Sequence, residues 1–127
     1  MIDKELEVFE FVAARLRNKY PSIYVVGTEL TKTPPRFPAV SLVETNNQIQ
    51  TNYSTFNSLE NVAREDYKAE VFSNLEIGKE KQTKEITSVI SDAMLELDYE
   101  RVFCEMIVNA DPTINRRVSR YIKNNVI

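Results

Sequence analysis

Two apolar stripes at helical spacing, set apart by segments that alternate apolar and polar residues, constrain this 127-residue chain more than any other feature. The first runs over residues 2–19, where Ile2, Leu6, Phe9, Val12, Ala13 and Leu16 recur at three- and four-residue steps. Asp3, Glu5 and Glu7 open it and Arg15, Arg17 and Lys19 close it, an order that complements the helix dipole. Pro21 ends it by pushing the residue before it out of the helical region. The second stripe follows Gly78, over about residues 79–97, with Ile86, Val89, Ile90, Ala93, Met94 and Leu97 on one side. Each stripe needs a partner surface, and only the alternating segments can supply it. Both helices are therefore expected on the same face of one sheet.

The strands follow from period-two patterning. Ile23–Val26 is a β-branched and aromatic run closed by Gly27. Residues 31–38 hold three of the five prolines and form an extended connector. Ala39–Glu44 alternates, and so does Asp66–Ser73, with Tyr67, Ala69 and Val71 on one face. Phe72 interrupts the polar face of that strand, so local cover is expected there. A terminal hairpin completes the set. The expected order is α-β-β-long loop-β-α-β-β: an α+β domain spanning residues 1–127, with two helices packed on one face of an antiparallel or mixed sheet of about five strands.

Two segments invite a functional reading. Residues 45–63 are rich in Asn, Ser and Thr and carry no charge before Glu60. A connection this long within one domain is unusual. It is either a surface excursion or a loop that orders against a partner, with Asn46, Asn47, Tyr53 and Phe56 as the contacting candidates. The second segment is the terminal hairpin. Its first strand, Val102–Val108, is apolar on both faces and is expected to be central or covered twice. Asp111 and Pro112 form the turn, Asp111 by bonding nearby amides. In the second strand Arg116, Val118, Arg120 and Ile122 share one face, and Arg117, Ser119, Tyr121 and Lys123 the other. Arginines on both faces of an expected edge strand fit two roles: discouraging stray strand pairing, or presenting planar donor forks to a neighbour's carboxylates.

Little chemistry is available for catalysis. The chain has no histidine, which removes the commonest general base and metal ligand. Two glycines cannot build a phosphate-cradling loop. The one cysteine, Cys104, rules out an intramolecular disulfide and reads as a buried, inert thiol, consistent with a reducing, cytosolic place of synthesis. Glu96, Asp98 and Glu100 cluster after the second helix and read as a solvated acidic connector rather than a cation site. No catalytic residue, metal ligand or cofactor is assigned. A net charge of −3 opposes bulk electrostatic binding to nucleic acid or acidic membranes. No apolar run approaches the roughly 20 residues of a membrane span, and the opening Met-Ile-Asp-Lys-Glu lacks a secretory pattern.

The chain resembles the tail terminator (tail completion, head–tail joining) proteins of long-tailed bacteriophages, in the form common among prophages of Gram-positive bacteria. The resemblance covers most of the chain. It rests on Phe37 to Asn47 (FPAVSLVETNN), on Glu60-Asn61 before Glu70-Val-Phe-Ser-Asn74, and on Gly78-Lys79 opening the second helix. It rests most on Phe103 to Asn109, Asp111, Arg116, Arg117 and Arg120-Tyr121. It implies an α+β fold with helices against an antiparallel sheet, and a hexameric ring that caps the tail tube and ends its polymerisation. It also implies the tail tube protein and the head connector or stopper as partners, a place in the virion's neck after assembly in host cytoplasm, a lumen that passes DNA, and no catalysis. Under this reading Arg116, Arg117, Arg120 and Tyr121 are subunit or tube contacts. Three other readings compete: another neck or connector protein, a nucleic-acid-binding module using the basic hairpin, and an enzyme dependent on Glu96, Asp98 or Glu100.

Overall fold

The computed structural model describes residues 5–30, 32–49, 62–108 and 111–126. Helix α1 spans Glu5–Lys19, strand β1 Tyr24–Val26, β2 Ala39–Ile49 and β3 Val62–Ser73. Helix α2 follows at Lys79–Glu96, then β4 at Glu100–Ile107 and β5 at Asn115–Val126. The fold is α+β, with two helices and a five-stranded mixed sheet ordered β1-β2-β3-β5-β4. Only β1 and β2 run parallel; every other pairing is antiparallel.

The helices share one face, as the two stripes require. Val8, Val12, Ala13 and Leu16 of α1 and Ile86, Ile90, Ala93 and Met94 of α2 are buried. They pack on Val40 and Leu42 of β2, Tyr67, Ala69 and Val71 of β3, and Tyr121 of β5. Each aliphatic side chain removed from water here is worth about 1.5–3 kcal/mol before entropy is charged against it. The α1 stripe is rotated from expectation: Val8 enters the core while Leu6 lies in solvent. Helix α1 contacts α2 and β2, and α2 lies over β3 and β5, touching β4 less. The helical layer therefore thins out towards β4.

Local chemistry explains both ends of α2. Gly78 precedes it with φ 86°, a left-handed value that glycine adopts without strain. At the far end Asp98 takes φ 68°, and two backbone bonds close the helix: Asp98 N–H to the Leu95 carbonyl (2.9 Å) and Tyr99 N–H to the Met94 carbonyl (2.9 Å). The supposed acidic connector is thus a helix stop, with Asp98 at its left-handed position.

Phe72 is covered on the helix-free face, as its place on a polar face demanded. It forms a second small core with Ala39 and Ile114, closed by Tyr24, Leu30 and Phe37. The turn after β4 is held by Asp111, whose carboxylate accepts from the Thr113 amide (2.9 Å) and hydroxyl (2.7 Å). These bonds hold its carboxyl below the usual range.

Three expectations fail. The pairing of β2 with β3 continues to Ile49 and Ala63, with a register shift between Glu44 and Asn46. The segment read as a loop from 45 to 63 therefore contributes strand at both ends, and Asn46 and Asn47 pair with Asp66 and Glu65. Tyr53 and Phe56 lie outside the described residues. The hairpin strands have also exchanged places. The apolar strand β4 is the sheet edge, largely exposed, and the arginine-bearing β5 is interior, paired with β3 and β4. Cys104 on β4 is half-buried rather than enclosed. The physical reason is length: β5 runs twelve residues and matches β3 across its whole span, whereas β4 has eight.

Candidate functional site

Interior placement of β5 separates its arginines between two environments. On the helix-free face Arg116 lies opposite Phe72 of β3. Its Nε–H donates to Glu70 Oε2 at 2.6 Å, and its guanidinium sits 5.8 Å from the Phe72 ring centroid. Glu70 is only 4% exposed and also meets Lys68 Nζ at 3.3 Å. Lys68 in turn donates to Glu29. That hydrogen bond raises Lys68 above its ordinary range and lowers the Glu29 carboxyl. The four residues form a chain Glu29–Lys68–Glu70–Arg116 that ties the connector after β1 to β3 and β5. Arg116 is therefore committed to contacts within the chain. Arg120, on the same face, is exposed and lies over the Phe103 ring at 5.9 Å. No carboxylate among the described residues lies within ion-pair distance of it.

On the helix face Tyr121 is 1% exposed. Its hydroxyl bonds with Ser91 Oγ of α2 (2.8 Å) and accepts from Ser119 Oγ (3.0 Å). It belongs to the core and is not available as a contact residue. Tyr67 and Tyr99 meet edge to face, with centroids 5.2 Å apart. The Tyr67 hydroxyl donates to Glu44 (3.1 Å) and the Tyr99 hydroxyl to Glu65, which is fully buried. Burial is the main cause raising both phenols well above their ordinary value, with neighbouring carboxylates adding to it.

Arg117 occupies the most unusual position. It lies between Val71 of β3 and Met106 of β4 in the sheet and faces α2. It is 9% exposed, and its Nε–H has no hydrogen-bond partner among the described residues. It lines a groove of about 550 Å³ where α2 no longer covers the sheet. Thr87 and Ser91 of α2 share that groove, with Lys84, Asp92 and Arg101 around them. The buried Thr87 Oγ1 is also without a partner. Two orphaned polar groups in one groove are costly, each by about 1–3 kcal/mol, unless something else satisfies them.

Of the eight residues singled out from sequence, the structure thus brings Arg116, Arg117, Arg120 and Tyr121 onto one strand but into four different roles. Sequence reasoning missed Thr87, Lys84 and Arg101. It also missed two buried carboxylates: Glu70, on a strand face that looked wet, and Glu65, on the Tyr67 face just before the expected strand. The adjacency of Arg116 and Arg117 was the available signal, because neighbouring residues of a strand point to opposite faces. One of the two had to meet the helices once β5 became interior. Among the described residues no three His, Cys, Asp or Glu side chains are grouped to hold a metal, and no helix is long and apolar enough to cross a membrane. The chain matches no known protein-family model and no curated protein.

Proposed function

We propose that the protein is a ring-forming structural protein of the tail terminator class, which caps the tail tube of a long-tailed bacteriophage and forms part of its joint with the head. The observation that carries this reading is the edge strand β4. Among the described residues nothing pairs with its outer side, and Val102, Met106 and Val108 stand exposed, as does Leu95 of α2. Such an edge invites a second chain. A ring needs a heterologous contact, one surface meeting a different one on the next copy, and a sheet whose two ends differ supplies two distinct surfaces. The α+β fold, with both helices on one face, agrees with what the sequence resemblance implies. In this role the protein is an assembly component without catalytic duty. Its partners are further copies of itself, the tail tube protein and the head connector or stopper, and DNA passes through the lumen without being read.

Arg120 is the arginine left for subunit or tube contacts. Arg116 and Arg117 are engaged or enclosed within the monomer. The deciding experiment is mass by light scattering, alone and with the tail tube protein. A multiple of the 14.7 kDa chain, appearing alone or on addition of tube protein, is the expected result. A monomer under both conditions, with no tube capping by electron microscopy, overturns the proposal.

A further inference from the structure

We infer that the groove between α2 and the β4–β5 hairpin is an oxyanion-binding site with Arg117 as its central donor. Three observations converge. Arg117 is nine-tenths buried, yet no carboxylate among the described residues pairs with it and its Nε–H is unpartnered. A buried guanidinium N–H without an acceptor is a liability, and charged groups inside proteins are ordinarily paired. The Thr87 hydroxyl, buried in the same groove, is likewise unsatisfied. The rim adds Arg101 and Lys84, the latter also meeting Glu80 at 3.5 Å, with Asp92 as the acid of the lining. An oxyanion seated there would accept hydrogen bonds from the Arg117 fork and from the Thr87 hydroxyl, with the Arg101 guanidinium at the rim. A neutral or cationic ligand would leave the guanidinium unpaired.

The chemistry needed is a planar or tetrahedral set of oxygens bearing negative charge, matched to the guanidinium fork. A phosphoryl-type anion free in solution supplies it, and so does a side-chain carboxylate of a second copy of this chain. As a site for a free anion it stands independently of the ring reading; as a carboxylate contact between copies it rests on self-association and would add Arg117 to Arg120 as a contact residue. A monomer that binds an anion at Arg117 would remove the ring and keep the groove; a ring whose groove stays silent would do the reverse.

The test is nitrogen–proton NMR on the intact chain, following the Arg117 Nε–H and the Thr87 amide. One arm titrates inorganic phosphate at constant ionic strength. The other raises chain concentration in phosphate-free buffer. Saturable movement with phosphate alone identifies a free phosphoryl-class anion. Movement with chain concentration, reversed by phosphate, identifies a carboxylate of a second copy. Arg117→Gln is expected to weaken the response by roughly tenfold or more, as for loss of a charge-assisted hydrogen bond. Thr87→Val loses no bond within the fold, so it should stay folded by circular dichroism and still weaken binding. Arg15→Gln, on the far end of α1, should respond as the parent does. Resonances that stay still in both arms overturn the inference, as does Thr87→Val binding phosphate with parental affinity together with an unchanged Arg117→Gln.

Discussion

Glu70 and Arg117 sit on neighbouring strands with opposite bookkeeping. Glu70 is a buried acid whose oxygens are filled from two sides, by Arg116 and Lys68. Arg117 is a buried base whose Nε–H has no partner among the described residues. Removing charge at these positions should therefore have opposite consequences. Glu70→Gln removes the negative charge that Arg116 and Lys68 share and turns one of its two acceptor oxygens into a donor, and is expected to cost about 3 kcal/mol, the scale for breaking a buried pair. Urea unfolding measures it; a midpoint equal to the parent's would show that Glu70 is not the hub of that network. Arg117 stood out in the sequence as a contact residue, but Glu70 did not. A carboxylate at an even position of an alternating strand reads as a solvent-facing group, and only the connector folding back over Phe72 makes that face dry.

At the scale of elements, the helices and most strands were legible because their periodicity reports directly which side is covered. The stripes of α1 and α2, the Tyr67–Ala69–Val71 face and the local cover over Phe72 all follow from that. Strand order did not, because periodicity says that a strand has two faces but not which neighbours its edges meet. The apolar β4 looked central and became the edge; β5 looked like an edge and became interior. The length of pairing between β3 and β5 decided the matter, and the long reach of β2 and β3 past Glu44 and before Asp66 was hidden by Asn- and Thr-rich composition. The tyrosines connecting these elements carry a pH signature. Tyr67, Tyr99 and Tyr121 have phenols raised above the ordinary value, mainly by burial. Their folded-state values exceed the unfolded value of about 10, so the stability they contribute is complete below that pH and is lost as pH rises beyond it, the unfolded chain ionising first. Tyrosine-ring carbon NMR should show these three ionising only together with loss of the native amide spectrum. Tyr67 or Tyr99 ionising in a folded chain would contradict the account.

For the whole molecule, the arginine trio resolves into one test of assembly, one of folding and one of anion binding. Arg120→Glu changes an exposed group and should leave the monomer's stability within about 0.5 kcal/mol, the usual span for surface changes. It should also weaken association with copies of the chain or with the tail tube protein, read by light scattering. Retained association would shift the contact surface elsewhere along β4. Arg116→Glu places a second acid against buried Glu70 and should unfold the chain instead, so reversing all three arginines at once cannot separate the two effects. Of the candidate site, the sequence revealed the strand and its charge but not their division between a network, a groove and a solvent face. That division depends on which strand is interior.

The unequal ends of the sheet carry one more consequence. One margin is β1, three residues long; the other is β4, eight residues long. If chains stacked margin to margin into a continuous sheet, the short strand would satisfy less than half of the long one's backbone groups, and each joint would expose the remainder. The mismatch works against runaway fibril growth while leaving β4 free for a contact of different geometry. In the proposed ring-forming role, margins that do not match would let copies associate and then stop.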